Sequence, residues 1–156
     1  MKFQCIDRSP ILNVLVAVGL AMVPSQAPCQ ADNSPTVAQL DAAGKVTLAV
    51  MERHAEAMQS RNVDTIAADY ADDAIVMATL FPHTIVGKEA LKVAIAEVLK
   101  IPPITTPAEQ TKFTTKKAVG DYGYQIFENS GLTGTETYVV KNGKIVFESA
   151  TITLKK

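Results

Sequence analysis

His54, Tyr124 and Glu136 are the residues of this 156-residue chain whose types and positions suit proton transfer. An imidazole titrates closest to neutrality, so His54 fits the work of base, acid or hydrogen-bond donor to a ligand. It stands four residues after Val50 and four before Met58 on a helical apolar stripe, so it faces the same way as the core. A core histidine with one satisfied nitrogen is the other reading of that position. Further along, Tyr122, Tyr124, Ile126 and Glu128 alternate onto one face of an extended segment, and Gln125 and Phe127 onto the opposite face. In the next segment Glu136, Tyr138 and Val140 share a face. A wall combining Tyr124 and Glu128 with Glu136 or Tyr138 offers phenols and carboxylates for acid–base work. A solvated outer face, or a dimer interface of cross-strand aromatic pairs, is the alternative. The choice of pleat stays open, because a one-residue slip inverts every assignment.

Other chemistries lack a pattern. His83 lies in the Phe81-Pro82-His83 turn, 29 positions from His54, with no spacing that suggests zinc. It reads as a residue at a pocket mouth or on an exposed loop. No nucleophile elbow occurs, and Gly131-Leu132-Thr133-Gly134 is a turn rather than a phosphate-cradling loop. No cofactor is implied.

The elements that must position these residues follow from periodicity. Leu40, Ala43, Val46, Val50, Met51, His54 and Met58 recur at helical spacing over Val37 to Gln59. Gly44 weakens that helix, glycine costing about 1 kcal/mol against alanine. Ser60-Arg61-Asn62 breaks it, and Asn62 or Asp64 caps a short second helix with Ile66, Ala67 and Tyr70 on its apolar face. Ala74 to Leu80 reads as a strand, and its unbroken apolar run suggests burial on both faces. Thr84 to Val86 is a brief return strand, Gly87 ends the hairpin, and Lys88 to Lys100 is a third helix with Leu91, Ala94, Ile95, Val98 and Leu99 on one stripe. Pro102-Pro103 stops it. The period then drops to two, giving strands at Gln110–Val119, Tyr122–Asn129, Gly134–Lys141 and Lys144–Leu154. Asn142-Gly143 marks the last hairpin most clearly, since both central residues of a type I′ turn need positive φ. Three helices followed by an antiparallel meander make an α+β domain.

The first thirty-one residues read differently. Lys2 and Arg8 precede an apolar run from Ile11 to Val23, Pro24 breaks it, and Cys29-Gln30-Ala31 supplies small residues for cleavage. That is the layout of a signal peptide, too short for the roughly 20 residues of a membrane span. The expectation is cleavage after Ala31, a domain over residues 32–156, and an address in the periplasm or outside the cell. A lipid-attachment site is rejected, because Gln26 and Pro28 stand where it wants an aliphatic and a small residue. Both cysteines, Cys5 and Cys29, fall in the removed segment, so the mature domain has no disulfide and no thiolate nucleophile. A core of this length buries around two-thirds of the unfolded surface and suffices without staples. The formal charge is −1 for the whole chain, and removing Lys2, Arg8 and Asp7 leaves −2. Without a basic excess, no nucleic-acid partner is expected. Lys116-Lys117 and Lys155-Lys156 read as solvated strand ends.

The stretches Tyr70-Ala71-Asp72-Asp73-Ala74 and Gly87-Lys88-Glu89-Ala90-Leu91, with the closing hairpin from Gly134 to Ile145, resemble the SnoaL-like branch of the NTF2-like superfamily. The resemblance spans roughly Val46 to Ile152. It implies a cystatin-like cone, three N-terminal helices packed on a curved, mostly antiparallel sheet around one pocket. These motifs specify scaffold: Asp72-Asp73 reads as the turn that ends a helix and leads into the strand, or as a weak cation site. Ketosteroid isomerase shares this fold, and its catalytic positions fall here near Ala78 for the base, His54 for the first oxyanion donor, and Thr135 or Thr137 for the second. Alanine accepts no proton and threonine is a weak acid, so isomerisation by that mechanism is not expected. The superfamily's epoxide hydrolases use an Asp-Arg-Asp set, and Arg53 and Arg61 lie on or just after the first helix rather than on a strand. The resemblance also implies a homodimer through the sheet. Ligand-binding candidates are His54, Tyr70, Val76 and Ala78, with His83, Tyr124, Glu128 and Tyr138. Tyr70 and Phe113 read equally as core. The leading expectation is an exported domain that holds a small, largely apolar molecule in the cone, with no membrane insertion after processing. The alternatives are a cofactor-free isomerase, cyclase or dehydratase, or a structural dimer whose cone is filled by its own side chains.

Overall fold

A computed structural model describes residues 36–102 and 111–155. The expected leader and its cleavage point lie outside these residues. Helix α1 spans Val37–Ser60. Thr36 caps it in a reciprocal box: the Gln39 amide donates to Thr36 Oγ1 at 3.3 Å, and the Thr36 amide donates to Gln39 Oε1 at 2.8 Å. Arg61 stops it in a left-handed turn at φ 53°. Asn62 then starts α2 (Val63–Ala67), its Oδ1 accepting from the Thr65 amide at 3.0 Å. Strand β1 (Tyr70–Ala78), the short β2 (Ile85–Val86) and α3 (Lys88–Val98) follow. The chain ends in β3 (Lys112–Val119), β4 (Tyr122–Glu128), β5 (Leu132–Lys141) and β6 (Lys144–Leu154).

The six strands form one sheet in the order β2-β1-β6-β5-β4-β3. Its pairs are antiparallel except β1 with β6, which run parallel. The meander is the expected one, with Asn142 (φ 51°) and Gly143 (φ 71°) in its last turn. What periodicity did not give is the parallel seam, which closes the N-terminal hairpin onto the last strand and brings Val76 beside Glu148.

Helix α1 packs across the inner face of the sheet. Thr47, Val50, Met51, His54 and Ala57 are buried on that side, and Thr47 Oγ1 donates to the Gly120 carbonyl at 2.8 Å. Two glycines make room. A Cβ on Gly123 would meet Met51 Sδ at 2.4 Å, and one on Gly134 would meet the Phe127 ring at 2.2 Å. The core joins Val50, Met51, Ile66, Val76, Leu91 and Ile95 with Val140 and Ile145 from the sheet.

Two expectations need correction. Asp72 and Asp73 do not end a helix: α2 stops at Ala67, and both aspartates sit within β1, where the register with β6 shifts between Tyr70 and Ile75. Such an irregularity lifts them out of the ladder toward solvent, where Asp72 pairs with Lys88 at 2.6 Å. Nor is β1 buried on both faces. Ala74 and Val76 point inward, while Ile75 and Met77 remain 40% and 45% exposed on the outer face. Among the described residues no helix covers that side, so a continuous apolar run here alternates in burial.

Candidate functional site

Between α1, α3 and the inner face of the sheet lies a recess of about 170 Å³. Its walls are mostly apolar, with Met58, Ile66, Val76, Leu91, Ile95 and Phe127 among them. Its polar lining comprises His54 and Gln59 from α1, Tyr70 from β1, Gln125 from β4, Glu136 from β5 and Glu148 from β6, with Thr111 and Asn129 beside the strand ends. No side chain of the described residues fills the recess.

These groups form two hydrogen-bonded branches. On the first, Asp69 Oδ2 lies 3.5 Å from His54 Nδ1, an ion-pair distance without hydrogen-bond geometry, and both atoms are buried with no hydrogen-bond partner among the described residues. His54 Nε2 lies 3.3 Å from the Tyr70 hydroxyl, and that hydroxyl donates to Glu148 Oε2. His54 and Glu148 are only 5% and 6% exposed. Arg53 holds the other side of Asp69 through Nε to Oδ1 at 2.5 Å, and its Nη2 donates to the Gly143 carbonyl at 3.1 Å. On the second branch Glu136 Oε2 accepts from Gln125 Nε2 at 2.6 Å and from the Tyr138 hydroxyl. Gln125 Nε2 also lies 3.1 Å from that hydroxyl. The His54 ring meets Tyr70 edge-on, with centroids 5.2 Å apart.

Burial and charge set the proton affinities. Burial raises Glu148, the Glu136 charge raises it further, and the opposing pull of His54 and Tyr70 is weaker, so Glu148 sits at about 7. Burial opposes a charged His54. The Asp69 contact, then Glu148 and Glu136, outweigh it and hold the imidazole above its usual value. Asp69 is held below the usual carboxylate value: burial works the other way, but His54 and Arg53 prevail. Tyr70 and Tyr138 are pushed well above the ordinary phenol, first by burial and then by the nearby glutamates, so both stay neutral. The site therefore offers a carboxyl group poised near neutrality inside an apolar recess, the condition general acid–base catalysis wants.

Several sequence candidates come together here. His54, Tyr70, Val76, Ala78 and Glu136 all line the recess. Tyr138 is fully buried beside it and holds Glu136. Others do not. Tyr124 pairs with Thr137 on the opposite pleat and is 38% exposed, whereas the inward partner of Glu136 is Gln125. The wall combining Tyr124 with Glu136 is therefore not formed, and Gln125 and Phe127 occupy the inner face instead. Glu128 lies 3.6 Å from Lys155 rather than in the recess, and His83 is exposed in its turn outside it. The comparison with ketosteroid isomerase pointed to Thr135 or Thr137 on β5, but the inward carboxyl of that strand is their neighbour Glu136.

Glu148 escaped the sequence reading. Counting by twos from the buried Ile145 puts Phe147 and Ser149 inward and Glu148 outward. The register shifts between Val139 and Val140, so Val140 faces Ile145 while Tyr138 faces Glu148. One extra residue on β6 inverts the pleat beyond it and turns Glu148 into the recess. A lone carboxylate directly after the apolar run Ile145-Val146-Phe147 was the available signal.

No family model matches the chain, and neither does any curated protein. Solved structures do. One is an NTF-2 like protein of unknown function from Burkholderia xenovorans, 16% identical, covering 72% of this chain and 86% of its own at a TM-score of 0.55. A SnoaL-like protein of unknown function from Burkholderia thailandensis is 14% identical, with 72% and 96% covered and a TM-score of 0.56. An LEH-like epoxide hydrolase from M. tuberculosis is 15% identical, with 70% and 84% covered and a TM-score of 0.51. The fold is thus the NTF2-like cone, an α+β architecture of helices on a curved, mostly antiparallel sheet.

Proposed function

We propose that the recess binds a small, largely apolar molecule and moves a proton on it without a cofactor. The observation that carries this reading is Glu148: a carboxyl group buried in an apolar recess, with a second carboxylate, Glu136, on the adjacent strand. A purely structural filling would place apolar side chains here, because buried ionisable groups cost stability unless they are used or compensated. Paired carboxyl groups in unlike settings divide acid and base roles. Glu136, accepting hydrogen bonds from Tyr138 and Gln125, suits the base that takes a proton from carbon. Glu148, protonated for half its population near neutrality, gives its proton to a neighbouring oxygen as the C–H bond breaks. The intermediate is an enol, and in a ketone with a β,γ double bond Glu136 returns its proton to the γ carbon while the enol O–H proton goes back to Glu148, which completes an isomerisation. The fold analogues that include an epoxide hydrolase make carbonyl and epoxide compounds the first classes to try.

The test is hydrogen exchange. The mature protein is incubated in deuterium oxide with a panel of one- and two-ring ketones, and deuterium gain is read by mass spectrometry. Enzyme-dependent exchange that falls at least 100-fold in E148Q and E136Q supports the reading. Binding without exchange, detected as thermal shifts across the panel, leaves the simpler function of a small-molecule binder. Export with cleavage after Ala31, and a homodimer, belong to the same proposal. The outward apolar side chains Ile75, Met77 and Tyr124 support the dimer.

A further inference from the structure

We infer that His54, Tyr70 and Glu148 form a proton relay, in which His54 stores the proton that Glu148 exchanges with a bound molecule and Asp69 is the positioning residue that fixes the imidazole. The inference rests on the recess being the working site, but its geometry is that of the free protein.

The Tyr70 hydroxyl has one proton and stands between two groups that can each carry one. On one side is His54 Nε2 at 3.3 Å, on the other Glu148 Oε2. Two arrangements satisfy every contact with the same total charge. In the first, His54 is an imidazolium: Nδ1–H faces Asp69, Nε2–H donates to the Tyr70 oxygen, and Tyr70 donates to the Glu148 carboxylate. In the second, the Nε2 proton has passed to the Tyr70 oxygen and the tyrosine's own proton has passed to Glu148 Oε2. Tyr70 now donates to Nε2, and the Glu148 carboxylic acid donates to Tyr70. The Nε2–H and the original Tyr70 O–H bond break as a new Tyr70 O–H and a Glu148 O–H bond form, and the phenol is neutral before and after. Burial makes a tyrosinate costly, so a concerted exchange of this kind is the open route.

Asp69 decides which nitrogen faces which neighbour. Its side chain cannot swing away, since Arg53 holds Oδ1 and its own carbonyl accepts from the Ile145 amide at 2.8 Å. With the Oδ2 charge 3.5 Å from Nδ1 and no hydrogen bond to either atom, it is the carboxylate's field that keeps the proton on that nitrogen in both arrangements and leaves Nε2 for Tyr70. The charged and titratable groups around the relay are Arg53 on α1, Asp69 before β1, and Glu136 and Tyr138 on β5. The last two form their own branch and do not interrupt the line from His54 to Glu148.

The relay is tested in the ligand-free mature protein by following the His54 ring nitrogens and the Glu148 carboxyl carbon by NMR between pH 4 and 9. Coupled groups titrate in shared steps, so each nucleus should show both transitions. Y70F removes the hydroxyl but keeps the ring: the two nuclei should then report separate single steps. D69N should move the ring proton from Nδ1 toward Nε2, seen as an exchange of the two nitrogen shifts. Where Y70F does not fold, E148Q serves, and His54 should lose its second step. A wild-type His54 that titrates with no response at Glu148, or variant curves that match the wild type, would overturn the relay. Because no substrate is used, that failure stays separate from an empty ligand screen, which would count against the proposed function instead.

Discussion

Replacing Glu148 with glutamine should make the protein more stable at alkaline pH. Glu148 sits at about 7 in the folded chain against a usual 4.5. Between those values the folded state holds a proton that the unfolded state has released, so stability falls as pH rises through the window. Two and a half pH units at 1.36 kcal/mol each is about 3 kcal/mol. The raised His54 acts in the same sense: its contribution is complete below 6.5 and is lost as pH rises through its folded value. Asp69, held low, loses its contribution only as pH falls below the ordinary carboxylate range. The wild type should therefore be most stable at mildly acidic pH and weaken by about 3 kcal/mol toward pH 8. Glutamine keeps the volume and an oxygen to accept from Tyr70, but it carries no charge to bury. E148Q should match the wild type near pH 5 and exceed it by up to about 3 kcal/mol at pH 8, or roughly 10 °C in Tm. Urea unfolding at four pH values decides it. A wild-type stability that stays flat or rises from pH 5 to 8, or an E148Q curve parallel to the wild type, would refute the claim that a buried carboxyl is strained by ionisation.

The other expectations concern packing, charge and assembly. Asp69→Asn leaves His54 and Arg53 without their carboxylate and should cost roughly 3 kcal/mol, with the His54 pKa falling in an NMR titration. Gly134→Ala places a methyl group into the Phe127 ring and should cost about 1–3 kcal/mol by urea unfolding, partly recovered in the double variant with Phe127→Leu. Ala78→Leu projects into the recess from β1 and should abolish ligand-induced thermal shifts while changing stability by less than about 1.5 kcal/mol. Met77→Lys on the uncovered outer face should turn a dimer into a monomer by light scattering and leave ligand binding within about 3-fold, because its side chain points away from the recess.

Patterning over short range carried most of the scaffold. The helical stripe through Val50, His54 and Met58, the breaks at Arg61 and Gly87, and the Asn142-Gly143 hairpin are local signals, and local physics obeyed them. His54 was legible for the same reason, since a helix fixes which residues share a face within a few turns. The rest depended on which strand lies beside which. The parallel seam of β1 on β6 joins residues some seventy positions apart and sets Tyr70 against Glu148. The irregularity in β6 turns Glu148 inward, and the β4–β5 register chooses Gln125 over Tyr124. A strand's pleat alternates every residue, so one inserted position exchanges core for solvent. That choice is made by pairing across the sheet rather than along the chain. Local signals along the chain therefore determined the first and third helices, the last hairpin and the face of His54, while tertiary pairing decided where β1 begins and which carboxyl group enters the recess.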